Sequence, residues 1–116
     1  MLFRGIGKTF STEHGQQYET IGAFWDELSA QYGRENLRGL GYGWTDCSIE
    51  YAIGLKSGEI KGADRTVELP DDGWTSVKGR TGHLGRIYDE IYQGGSLKYE
   101  IETFSDNGSC EILYLR

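Results

Sequence analysis

Apolar residues recur along this chain with two different periods. From Gln16 to Gln31, and on to Tyr32, the positions Tyr18, Ile21, Phe24, Trp25, Leu28 and Tyr32 return every three or four residues. That is the stripe of an amphipathic helix, and Gly33 follows as its stop. A second helical stripe is Leu84, Ile87, Tyr88 and Ile91, with Thr81 offered as its N-cap and Gly94-Gly95 as its end. Elsewhere the pattern is extended. Strands are predicted over Phe3–Phe10, Leu40–Trp44, Ile49–Gly54, Trp74–Lys78, Leu97–Phe104 and Cys110–Leu115, with Thr66–Leu69 also extended. Turns fall at Thr45-Asp46-Cys47, at Pro70-Asp71-Asp72-Gly73 and at the hairpin signal Asp106-Asn107-Gly108.

The resulting order, strand-helix-strand-strand, occurs twice. Ile21-x-x-Phe24-Trp25-Asp26-Glu27-Leu28 matches Leu84-x-x-Ile87-Tyr88-Asp89-Glu90-Ile91 at an offset of roughly 63 residues. Ile49 and Tyr51 fall on Ile112 and Tyr114 at the same offset, and Trp44-Thr45-Asp46 falls on Phe104-Ser105-Asp106 at an offset of roughly 60. Chance likeness of two amphipathic helices and two hairpins is the competing explanation. The reading is a single α+β domain over residues 1–116. It is a duplicated βαββ with pseudo-twofold symmetry: an antiparallel sheet carries both helices on one face and a ligand cleft on the other.

Strand alternation then selects candidate cleft residues. Leu97, Tyr99, Ile101 and Thr103 share one face of their strand and make the better core set; Lys98, Glu100, Glu102 and Phe104 share the other. Glu102 and Phe104 are therefore expected to point away from the helices. The repeat maps them onto Tyr42 and Trp44, so Tyr42, Trp44, Glu102 and Phe104 should meet across the pseudo-axis, with Trp74 either lining the pocket rim or capping the core. Aromatic rings around one carboxylate suit a flat, apolar, neutral to cationic molecule. The same residues also fit a solvated strand glutamate and cross-strand aromatic packing. Trp25 is expected in the core, and Tyr51, Tyr88, Tyr92 and Tyr114 at its edge.

Composition narrows the function classes. The 116 residues include 18 glycines, about twice the average share of roughly 7%, which marks tight turns or close approaches. The net charge of −6, with basic residues scattered singly, disfavours a nucleic-acid partner. No apolar run of about 18 residues and no signal-peptide core occur, so no membrane partner and a cytoplasmic location are expected. Cys47 and Cys110 lack CxxC spacing, and His14 and His83 lack metal-site context. Reduced thiols and no metal or other cofactor are expected. No GxGxxG, P-loop or GxSxG motif is present.

Several short motifs in order resemble the GyrI-like small-molecule-binding domain, the effector-binding domain of AraC-type and MerR-type transcription activators. They are Gly41-Tyr42-Gly43, Tyr51-Ala52-Ile53-Gly54, Leu69-Pro70-Asp71-Asp72-Gly73-Trp74, Gly79-Arg80-Thr81-Gly82, Ile87-Tyr88-Asp89-Glu90-Ile91-Tyr92 and Ile101-Glu102-Thr103-Phe104. The resemblance covers nearly the whole chain. It implies a duplicated βαββ fold with a pocket at the pseudo-twofold, and it implies that Glu102 receives cationic lipophilic compounds among aromatic rings. With no helix-turn-helix beside it, the expected function is a stand-alone effector- or drug-binding domain. The resemblance also allows two alternatives: a hydrolase of cyclopropane-bearing toxins in which Glu102 acts as general base, and a protein-interaction module like relatives that inhibit DNA gyrase.

Overall fold

The computed structural model describes residues 1–116, and the chain is α+β. The strands are β1 (Leu2–Ser11), β2 (Leu37–Tyr42), β3 (Ser48–Leu55), β4 (Arg65–Glu68), β5 (Thr75–Arg80), β6 (Tyr99–Phe104) and β7 (Ser109–Leu115). The helices are α1 (Gln17–Tyr32), between β1 and β2, and α2 (Leu84–Gln93), between β5 and β6. All seven strands join one antiparallel sheet in the order β4-β1-β3-β2-β6-β7-β5. No helix is long and apolar enough to cross a membrane.

Each element follows from local chemistry. α1 stops where Gly33 turns to φ 83° and its N–H closes on the Ser29 carbonyl. The hairpin between β6 and β7 turns at Gly108, φ 83°. Thr81 does not cap α2; it lies in a 3-10 turn, Thr81–His83, that leads into the helix without a side-chain cap.

The register places Tyr51 and Ile53 of β3, Gly39 and Gly41 of β2, Glu100 and Glu102 of β6, and Ile112 of β7 on one face. Both helices pack on this face. Phe24, Trp25 and Leu28 of α1 join Phe10, Ile49, Tyr51 and Phe104 in the largest core cluster. Tyr88 and Ile91 of α2 join Ile112.

The opposite face is also buried. Phe3, Leu40, Ala52 and Ile101 pack there under Leu69, with Trp74 and Tyr99 against them. This corrects the expected placement of the cleft. The chain's own segment between β4 and β5 covers the helix-free face, and that face takes Tyr99 and Ile101 of β6. Alternation then turns Glu100, Glu102 and Phe104 toward the helices rather than away from them. A cavity lined by these residues lies on the helical side.

Candidate functional site

A cavity of about 120 Å³ opens between α1 and α2 above the middle of the sheet. That is space on the scale of a single aromatic ring. Its floor is Tyr51, Glu100, Glu102 and Phe104; α1 contributes Tyr18, Gly22 and Trp25, and α2 contributes Tyr88 and Tyr92. Tyr18 and Tyr92 are 56% and 37% exposed and mark the mouth. Cβ-free positions on β2 make the floor possible. A Cβ on Gly39 would collide with the Tyr51 hydroxyl and come within 2.8 Å of Trp25, and one on Gly41 would lie 3.0 Å from Glu100.

A directed hydrogen-bond chain crosses the floor. The Trp25 indole N–H donates to the Tyr51 hydroxyl at 2.8 Å, and that hydroxyl donates to Oε1 of Glu102. Tyr92 donates to Oε2 of Glu100 at 3.3 Å. The Tyr88 hydroxyl is buried near Glu102 yet lies outside hydrogen-bonding geometry with any protein group.

Glu100 and Glu102 are 4% and 6% exposed, and neither forms an ion pair. Burial pushes the Glu100 carboxyl well above the usual range, and the neighbouring Glu102 charge adds to the shift; the Tyr92 bond opposes it. Burial also raises Glu102, against the Tyr51 hydroxyl and the Arg34 charge. Both carboxyls are thus held above the usual range, Glu100 the further of the two, and they titrate as one interacting pair. The Tyr51 and Tyr88 hydroxyls are pushed up by burial first and by Glu102 second.

Arg34 lies in the 3-10 turn Arg34–Asn36 and lines the same cavity. Its guanidinium sits 4.3 Å over the Phe104 ring and 5.7 Å from that of Trp25.

The five candidate ligand residues divide between the two sheet faces. Trp44, Glu102 and Phe104 line the cavity. Trp44 reaches it because Gly43, at φ 62°, breaks the alternation that would have kept Trp44 on the side of Tyr42. Tyr42 and Trp74 belong to the cluster on the helix-free face. There Arg65 donates to the Tyr42 hydroxyl at 3.1 Å, and the Trp74 indole N–H donates to the Pro70 carbonyl at 2.8 Å. The four aromatic and acidic residues expected to meet therefore do not all meet.

Sequence reasoning missed Glu100, Arg34, Tyr51, Tyr88 and Tyr92 as cavity residues. The spacing Gly39-x-Gly41 was a usable signal, since two glycines on one strand face leave room for large neighbours. Cys47 is exposed and Cys110 buried, both as free thiols, and no three His, Cys, Asp or Glu side chains converge as a metal set. No family model, curated protein or solved structure matches this chain.

Proposed function

We propose that this chain is a small-molecule-binding domain for aromatic or lipophilic compounds, neutral to cationic, and that they bind in the cavity between α1 and α2. One observation carries the reading: two buried carboxylates without an ion-pair partner face an aromatic-walled cavity that opens to solvent. Burying a carboxylate without a compensating cation costs several kcal/mol, so such a pair is rarely retained for stability alone. A ligand cation offsets that cost while the rings supply apolar contact.

The same proposal extends to the architecture, a duplicated βαββ of GyrI-like type. Its support is the strand order, in which β1-β3-β2 is answered by β6-β7-β5 across the β2–β6 pair, with β4 added at the β1 edge.

Benzyltrimethylammonium and its uncharged isostere neopentylbenzene test the binding reading, with tryptophan fluorescence as the readout. Glu102→Gln should weaken the cation by about tenfold to a hundredfold through the lost charge attraction alone, since a quaternary ammonium has no N–H to donate, and leave the neutral compound nearly unchanged. Trp44→Ala should weaken both, because ring contact is lost irrespective of charge. Unchanged affinities in both variants would overturn the assignment.

A further inference from the structure

The cavity is electrically polarised. Glu102 and Phe104 are two residues apart on one face of β6, about 6–7 Å along the strand, and Glu100 lies a further step in the same direction. Arg34 stands over Phe104 at one end, and the two carboxylates occupy the other. Opposite charges thus share one small cavity without closing on each other, since no ion pair joins Arg34 to either glutamate within 4.0 Å. Arg34 also makes no hydrogen bond through its guanidinium; its contacts there are ring faces. Close by, the buried Tyr88 hydroxyl is left without a partner.

We propose that the cavity selects a zwitterion: a flat apolar or aromatic body with an ammonium group at the Glu102 end and a carboxylate or similar anion at Arg34. The inference rests on the reading of this cavity as a ligand site and narrows its ligand class. An ammonium has three N–H donors; Glu102 and the Tyr88 oxygen take two of them. The planar guanidinium fork accepts a carboxylate in a two-point contact. The ring between the two charged groups lies among Trp25, Trp44 and Phe104. Glu102 and Arg34 then each gain one partner, and a ligand of zero net charge leaves the cavity's net charge unaltered.

Three compounds of one shape separate the contributions: 4-(aminomethyl)benzoic acid, 4-methylbenzylamine without the anion, and 4-methylbenzoate without the cation. Calorimetric titration of the intact protein at pH 7 should find the zwitterion bound at least tenfold more tightly than either analogue. Arg34→Gln should bring the zwitterion down to the level of 4-methylbenzylamine without weakening the amine. Arg34→Lys should recover part of the difference, and circular dichroism checks that both variants fold. If the amine binds as tightly as the zwitterion, or if Arg34→Gln leaves their ratio unchanged, the inference fails and the cation site stands. If none of the three binds while benzyltrimethylammonium does, the inference again fails alone. If benzyltrimethylammonium also fails to bind, both readings fall.

Discussion

Replacing Glu100 by Gln should stabilise the protein, and the gain should grow with pH. An ordinary glutamate titrates near 4.3. In the fold, burial raises the Glu100 carboxyl well above that, helped by the charge of Glu102 and opposed by the Tyr92 bond. Between the two values the native state holds a proton that the unfolded chain has released. The unfolded state then binds one proton fewer, so stability falls as pH rises, by about 1.4 kcal/mol per pH unit. Below about pH 4 both states are protonated and the effect vanishes. Above the raised value the penalty is complete and the slope ends. Gln keeps the size of the side chain and an oxygen for Tyr92, but it has no proton to lose. From pH 5 to 7 the variant should therefore gain up to about 3 kcal/mol over the parent. Urea unfolding at pH 5, 6, 7 and 8, followed by tryptophan fluorescence, measures both curves. Parallel loss of stability in parent and variant across this range would refute the argument. Glu102→Gln should flatten the curve less, because the Tyr51 hydroxyl and Arg34 already favour the Glu102 charge.

Gly39→Ala should destabilise the protein by roughly 1–3 kcal/mol in denaturant titration, since the new methyl collides with Tyr51 and crowds Trp25 on the cavity floor. Gly22→Ala should separate stability from binding: the added Cβ meets nothing within 4 Å, so helix propensity gains up to about 1 kcal/mol, while the methyl narrows the cavity and lowers ligand affinity. A thiol reagent should modify exposed Cys47 in the native protein and buried Cys110 only after denaturation, as intact mass would show.

Helix positions and most strands were legible because their apolar periods are regular and their ends carry glycine. The facing of β6 was not. Tyr99 and Ile101 against Glu100 and Glu102 define two strand faces, and the pattern alone puts the apolar one against the helices. That assignment assumes a sheet buried on one side. Here Leu69 and Trp74 fold back over the second side, a long-range contact that leaves no periodic trace in the chain. The two glutamates thus face the helices, where local pattern alone would not place them. Trp44 and Tyr42 were separated by one backbone dihedral at Gly43. Arg34 lies in a 3-10 turn, outside any strand or helix period, so nothing in the sequence pattern linked it to Phe104. Glu102, Phe104 and Trp44 do line one cavity, but on the opposite face of the sheet from the one that strand alternation suggests.

The three tryptophans allow the most direct test of where a ligand binds. Trp25 and Trp44 line the cavity between the helices, and Trp74 lies on the opposite face of the sheet. In a ¹⁵N-labelled sample each indole N–H gives its own resonance, assignable by single Trp→Phe substitutions. Titration with benzyltrimethylammonium should shift the Trp25 and Trp44 signals along one saturable curve and leave Trp74 in place. A saturable shift of Trp74 with Trp25 and Trp44 unmoved would put the ligand on the helix-free face and contradict the account.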